Sequence, residues 1–345
     1  MKKRETELDI LRLLALLSVM FVHSCGIISD WTALPELTNK ALTFNLAVIM
    51  WEIPAFVMIS GRFFLDPEKD ITFKKIGKAI WRLILAFLAW NVVYQAYYIL
   101  AGKYADLNWK GILSQALAGP YHFWYIYMTV CLYAIVPFLR KITQDKKLME
   151  YFIVLFLIFE FLTRYGINLP FIGSTIGEIL DSTYYHFTLG FSGYYILGYY
   201  LHKYRLTGKR EIILYILGIF MAAFTGMATI WMTMRGAEGK EWFSKFLMPN
   251  IIIEAAAIYT FFVNRVSRIH YGERVTAMIS KLSEYSFGAY LVHALILELF
   301  TGLGLGQIPA HPVIVITLTL VLDFIASIAV TALLRKISYI GKKIT

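Results

Sequence analysis

Ten apolar runs, each close to the length that crosses a bilayer's hydrocarbon core, constrain this chain more than any other feature. They fall near 8–29, 41–63, 80–101, 121–139, 149–164, 184–202, 212–234, 247–264, 284–302 and 311–333. A spanning helix needs roughly 17–25 mainly apolar residues, and the run at 149–164 is the shortest. Of the 345 residues, 59% are hydrophobic and 16% charged. A soluble domain carries about 25% charge, so too few charges are present here to coat a soluble surface. The expected fold is all-α, a polytopic integral membrane protein with about ten transmembrane helices. No internal repeat, low-complexity tract or soluble domain breaks the pattern. Residues 1–345 therefore read as a single transmembrane domain whose chemistry lies in or beside the membrane.

Charge placement orients the frame. The net charge of +10 is not spread over a continuous basic face, which argues against nucleic acid as a partner. The cations sit instead in short clusters between apolar runs. Lys2, Lys3 and Arg4 lie on one side with Lys69, Lys74, Lys75, Lys78, Arg140, Lys141, Lys146 and Lys147. So do Lys203, Arg205, Lys209, Arg210, Arg265, Arg268, Arg274, Lys281, Arg335, Lys336, Lys342 and Lys343. The other side holds Lys40, Lys103, Lys110, Arg164, Arg235, Lys240 and Lys245. The bias is 23 to 7, and cytoplasmic loops carry the excess of Lys and Arg, so both termini are expected in the cytoplasm. Tyr121, Trp124 and Tyr125, and also Tyr184 and Tyr185, then open helices at the outer interface, where amphipathic rings collect. The apolar run after Lys2-Lys3-Arg4 is too long for a signal-peptide core and lacks a small-residue cleavage site, so it reads as a retained first helix. The two cysteines, Cys25 and Cys131, lie inside apolar runs and imply no disulfide framework. No His/Cys metal spacing is present.

Ionisable residues inside the runs are the functional signal. A charge at a helix centre costs roughly 2.5–3.5 kcal/mol on insertion scales. The chain nevertheless keeps Arg12, His23, Glu52, Glu160, Glu254, His293, Glu298 and Asp323 there, which implies a polar interior. The bland reading of each acid alone is a structural contact between helices. The first helix is the most telling. Arg12 and His23 are eleven residues apart, close to three turns, so they share one face about 16 Å apart. Asp9, three residues before Arg12, can pair with it. Arginine grips phosphate bidentately and histidine moves protons near neutral pH. A snorkelling arginine with a hydrogen-bonded histidine is the plainer account of the same stripe.

These residues also carry a family resemblance. Asp9-Ile-Leu-Arg12, ten residues and then His23 resembles the first-helix signature of the acyltransferase 3 family of membrane acyltransferases. Phe56-Val-Met-Ile-Ser60-Gly61 resembles its second-helix motif. Arg82-Leu-Ile-Leu-Ala-Phe-Leu-Ala-Trp90-Asn91 resembles its third, with Ala86 where proline is common. Tyr121-His122-Phe-Trp124-Tyr-Ile with Tyr133 and Pro137 is similar to the fourth, Tyr194-Tyr-Ile-Leu-Gly198-Tyr-Tyr to the sixth, and Ser286-Phe-Gly-Ala-Tyr290-Leu-Val-His293 to the ninth. The likeness runs from about residue 7 to 336 and looks closest to short members that O-acetylate surface glycans, without a C-terminal esterase-like domain. Arg62 departs from the apolar residue common after Ser60-Gly61.

The resemblance implies acyl transfer, most often of acetyl, from cytoplasmic acyl-CoA to a hydroxyl of a surface glycan or lipid-linked sugar, in the cell membrane of a bacterium. It implies no resident cofactor or metal; acyl-CoA is a substrate. Carried over by motif, His23 is the catalytic histidine and Arg12 and Arg82 are the donor-side arginines. Lys75 and Lys78 stand beside them in the loop, while Asp9, Ser60 and His293 support the site. His122 and Trp124, at the expected outer end, suit hydrogen bonding and stacking with an acceptor sugar. The rival readings are a transporter or flippase of a glycan or small solute, and a scaffold of a polysaccharide synthase.

Overall fold

In lipid every backbone polar group must be satisfied within the chain, and helices do this segment by segment. The computed structural model meets that demand. It describes residues 4–169, 172–182, 190–236, 239, 241–337 and 339–345; Lys2, Lys3, Tyr184, Tyr185 and Lys240 lie outside them. Among the described residues all regular structure is helical. The helices are α1 (Thr6–Ser24), α2 (Glu36–Val48), α3 (Glu52–Phe64), α4 (Phe73–Leu100), α5 (Trp109–Ala118), α6 (Trp124–Ile142) and α7 (Lys146–Arg164). After them come α8 (Gly173–Ser182), α9 (Phe191–Lys203), α10 (Lys209–Met234), α11 (Pro249–Asn264), α12 (Glu273–Gly302), α13 (Pro312–Ile337) and α14 (Tyr339–Ile344). Caps mark several starts: Thr72 Oγ1 accepts from the Lys75 amide at 3.3 Å, Asn108 Oδ1 from Gly111 at 2.9 Å and Asp145 Oδ1 from Lys147 at 2.7 Å.

Among the described residues, seven stretches are long and apolar enough to cross a membrane: Thr6–Ile27, Glu36–Phe64, Phe73–Leu100, Tyr121–Ile142, Lys209–Met234, Trp242–Arg268 and Pro312–Ile337. They carry bare apolar side chains outward, as at Leu100, Val92, Ile219, Phe220 and Ile325. A soluble protein rarely exposes such continuous apolar faces; these are lipid-facing, and the protein is multi-pass. The other three expected runs fall on α7, on α9 with residues outside the described set, and on the later part of α12. Lys146, Lys147, Glu150 and Glu160 dilute α7.

The expected single helix at 41–63 is two helices, α2 and α3, separated by a turn at 49–51. Pro54 supplies the reason. In a continuous helix its ring would meet the Met50 carbonyl and its missing N–H would leave that carbonyl unpaired. Restarting at Glu52 puts Pro54 in a first turn, where neither cost arises.

The described residues group into two compact units. The first comprises Met1–Val22, Asp30–Asp70 and Pro137–Ser283; the second comprises His23–Ser29, Ile71–Val136 and Glu284–Thr345.

The first unit is built on close helix packing through glycine. A Cβ on Gly61 would sit 1.9 Å from the Tyr195 carbonyl oxygen, and one on Gly198 would sit 2.3 Å from that of Met58. The two glycines thus let α3 and α9 touch backbone to backbone, each accepting the other's turn. Arg140 gathers the carbonyl at the end of α3 and those of the segment after it: Nη1 donates to Phe64 O at 3.0 Å and Asp66 O at 2.6 Å, and Nη2 to Lys69 O at 2.7 Å. Arg62 pairs with Glu5 at 2.8 Å and Asp66 at 3.1 Å. Its departure from an apolar residue therefore has a structural partner set. Burial pushes the Asp66 carboxyl up, but the Glu68 amide and the Arg62 guanidinium outweigh it and hold it below its usual range. The tie is complete above the ordinary aspartate range and is lost as pH falls through the lowered value. Glu160, one of the acids inside the apolar runs, is paired: it accepts from the Gly190 amide at 2.8 Å and from Arg164 at 3.3 Å.

In the second unit α14 lies against α4. Trp90 Nε1 donates to Ile344 O at 2.9 Å and Arg82 Nη2 to Thr345 O at 3.0 Å. Glu298, another of those acids, is paired with Lys103.

Candidate active site

Three histidines converge in the second unit, delivered by three separate elements. His23 lies in the last turn of α1, just before a 3-10 turn at Cys25–Ile27 whose Ile27 backbone lies against Gly306. His122 sits in the 3-10 turn Tyr121–Phe123, which Pro120 begins. His293 lies well inside α12. His23 Nδ1 is 2.7 Å from His293 Nε2, with the two ring planes only 8° apart. His293 Nδ1 is in turn 2.6 Å from the Tyr290 carbonyl oxygen, one turn back on the same helix. The His122 ring stands edge-on to His293 with centroids 5.0 Å apart, and 6.4 Å from His23.

Aromatic residues build the walls. Phe123, Tyr94 and Tyr290 pack on His122 at 4.7, 5.5 and 5.4 Å, and Tyr121 stands edge-on to His23 at 5.0 Å. The Tyr290 hydroxyl donates to the His122 carbonyl. The Tyr94 hydroxyl donates to Leu291 O and accepts from the Leu295 amide, both at 2.9 Å. It thereby takes both polar groups of the α12 turn that carries His293 and holds that turn to α4. His122 and His293 are fully enclosed, whereas His23 is half-buried. Neither ring nitrogen of His122 has a hydrogen-bond partner of normal geometry. Leaving a buried polar group unpaired costs about 1–3 kcal/mol, which a bound hydroxyl or carbonyl would recover. Among the described residues no group of three or more His, Cys, Asp and Glu side chains is arranged to hold a metal ion.

The remaining sequence-predicted residues fall elsewhere. In the first unit Asp9 pairs with Arg12 at 3.2 Å, as the i, i+3 spacing predicts. Arg12 Nη1 also donates to Ser283 Oγ at 2.9 Å, and Asp9 further accepts from Arg4 and Ser283 at 2.6 and 2.7 Å. Ser60 is half-buried on α3, in the same unit. In the second unit Arg82 is exposed, lies 5.8 Å over the Phe287 ring and holds Thr345 O. Lys75 and Lys78 are exposed on the first turns of α4. Of the two expected acceptor residues, His122 turns into the histidine cluster while Trp124, 38% exposed, turns away from the core.

Four cluster residues are not among the site residues expected from the sequence: Tyr94, Tyr290, Tyr121 and Phe123. Tyr290 precedes His293 by three, a spacing that puts both on one helical face, so it was open to notice. In the sequence Tyr121 is an interface anchor and the first residue of the fourth-helix motif, with no role in the site attached to it. Tyr94 carries no local signal, because its hydrogen-bond partners lie about 200 positions along the chain.

Comparison with curated proteins and with solved structures returns no match. The family model for an acyltransferase domain matches residues 5–334. That stretch is nearly the whole chain, and it includes every helix that delivers a histidine to the cluster: the chain belongs to the acyltransferase 3 family.

Proposed function

We propose that this membrane acyltransferase moves an acetyl group from acyl-CoA to a hydroxyl of a surface glycan or lipid-linked sugar, with His23 as the general base. The observation that carries the reading is the His23–His293 pair at 2.7 Å within a cluster of aromatic rings. An alcohol attacks a thioester only as its proton leaves. His23 Nδ1 is engaged by His293, so Nε2 is the nitrogen that takes the hydroxyl proton. The oxygen adds to the thioester carbonyl, the tetrahedral adduct collapses, the carbon–sulfur bond breaks and the departing thiolate recovers the proton from His23. Ester and free CoA are the products. Brief transfer of the acyl group onto His23 itself, followed by attack of the hydroxyl, balances equally. The orphaned ring nitrogens of His122 suit an acceptor hydroxyl or the thioester oxygen. Release of free thiol from acetyl-CoA by the purified protein in detergent tests the donor half of this reaction.

The donor is assigned to cations. Coenzyme A carries a pyrophosphate and a ribose phosphate, which charge-assisted hydrogen bonds hold best. Arg82, with Lys75 and Lys78 on the same end of α4, is one such group, and Arg12 is assigned by its place in the first-helix motif. Arg82→Ala is expected to raise KM for acyl-CoA at least about tenfold, one lost charged contact being worth roughly 1.5–3 kcal/mol. Arg82→Lys should recover only part, because the planar fork is lost. Unchanged KM in both Arg82→Ala and Arg12→Ala places the donor elsewhere.

The topology proposed is ten spans with both termini in the cytoplasm of a bacterial cell, resting on the 23-to-7 charge bias. Cysteines introduced at 65–75 and 203–211 should be shielded from an impermeant reagent outside the cell, and those at 103–118 and 236–245 should react. Cys131 is exposed and Cys25 buried, so the scan uses a Cys131→Ser background. Labelling of the first pair from outside reverses the frame.

A transporter is the second reading, favoured by one observation. The second span is broken, Glu52 opens its later half, and Glu52 and Glu254 are buried with one carboxyl oxygen each lacking a partner. Broken helices with buried acids line substrate paths in carriers. Solute flux through sealed vesicles without thiol release would favour it.

A further inference from the structure

We propose that His293 is a positioning residue that fixes the tautomer of His23, so that Nε2 of His23 carries the lone pair. The inference rests on the reading of His23 as the base and adds how that base is prepared.

The chain of partners leaves one arrangement for neutral rings. A backbone carbonyl only accepts, so the contact of 2.6 Å between His293 Nδ1 and Tyr290 O requires a proton on Nδ1. A neutral imidazole carries one N–H, so His293 Nε2 is bare and accepts. The contact of 2.7 Å from His23 Nδ1 to His293 Nε2 then needs its proton on His23 Nδ1. His23 in turn has one N–H, and Nε2 is left with the lone pair. The carbonyl of Tyr290 thus does for His293, and through it for His23, what a carboxylate does for the histidine of a hydrolase triad.

The surroundings hold the string in place. His293 is fully buried. Tyr94 clamps the Leu291 and Leu295 backbone on either side of it, and Tyr290 is anchored by its hydroxyl on the His122 carbonyl. With the ring planes of His23 and His293 8° apart, the nitrogens 2.7 Å apart and the centroids a full 5.0 Å apart, the Nδ1–Nε2 line runs along both ring planes, as an N–H···N bond requires. When His23 Nε2 takes the acceptor proton, its Nδ1–H still points at a lone pair on His293, which stabilises the imidazolium without any group reorienting.

Nitrogen-15 spectra of histidine-labelled full-length protein in detergent read this directly, with His23→Gln used to assign the resonances. The expected His23 signals at neutral pH are a protonated Nδ1 and a bare Nε2, and a protonated Nε2 overturns the proposal. Kinetics give a second readout. His293→Leu removes the acceptor and should lower kcat at least about tenfold, as loss of the partner that orients a metal-ligating histidine does at the low end, with KM for acyl-CoA unchanged. His293→Gln keeps an amide oxygen to accept from His23 and an amide N–H to donate to the Tyr290 carbonyl, and should recover most of kcat. Equal loss in both variants, or wild-type kcat in His293→Leu, contradicts the role. If His293→Leu fails to fold, the wild-type spectrum still decides. The two readings separate cleanly: an active His23→Gln protein removes the base, whereas the spectrum tests the tautomer whatever His23 does.

Discussion

His23→Gln is expected to lose acyl transfer while still binding acyl-CoA. Glutamine can occupy the site and hydrogen-bond to His293, but it cannot take a proton from an alcohol. One positioned acid–base group contributes typically 10²–10⁴-fold in rate, so His23→Gln and His23→Ala should both fall by at least about 10². The protein itself should survive either change. His23 is half-buried at the last turn of α1, and an uncharged side chain there lowers the cost of insertion. Rates must be normalised to folded, acyl-CoA-binding molecules. Near-normal transfer by His23→Gln returns the polar stripe on the first helix to a structural role.

The second large effect is on folding. Gly61→Val or Gly198→Val should abolish recovery of folded protein from detergent. Overpacking a core usually costs about 1–3 kcal/mol because neighbouring side chains give way. Here the obstacles are the backbone of Tyr195 and of Met58, at 1.9 and 2.3 Å from the added Cβ, and no rotamer relieves them. The whole α3–α9 contact has to open, against a total stability that is typically about 5–15 kcal/mol. Gly77 on α4 is the control, since a Cβ there meets nothing within 4 Å; Gly77→Ala should be neutral or gain up to about 1 kcal/mol. Monodisperse elution of Gly198→Val at wild-type yield would show that α3 and α9 can part without harm.

These cases mark what the sequence could and could not reveal. The helical, membrane-spanning class was legible because apolar length and charge placement are one-dimensional properties. So was the pairing of Asp9 with Arg12, which a helix brings together at three residues' spacing. The break before Glu52 was legible in principle through Pro54, but the unbroken apolar composition concealed it. The roles of Arg62 and Arg140 were not, because Arg62 reaches Glu5 and Arg140 reaches the Phe64–Lys69 carbonyls across more than 50 positions. The ninth-helix motif pointed to His293, and the first-helix motif to His23. That the two share a hydrogen bond is a fact of tertiary packing across 270 positions. The glycines of the second and sixth motifs read as family markers in the sequence; packing turns them into the contact between α3 and α9.

Acyl transfer through His23, as proposed above, is open to a direct test. Purified wild-type protein and His23→Gln, matched for acyl-CoA binding, are to be given acetyl-CoA labelled in the acetyl group together with a membrane fraction containing the acceptor. Label in the glycan fraction is then counted against free thiol released. Transfer through His23 requires equal amounts of label and thiol with wild type, and a rate at least about 10²-fold lower with His23→Gln. Transfer at the same rate by both proteins, or thiol release that never places label on an acceptor, would contradict it.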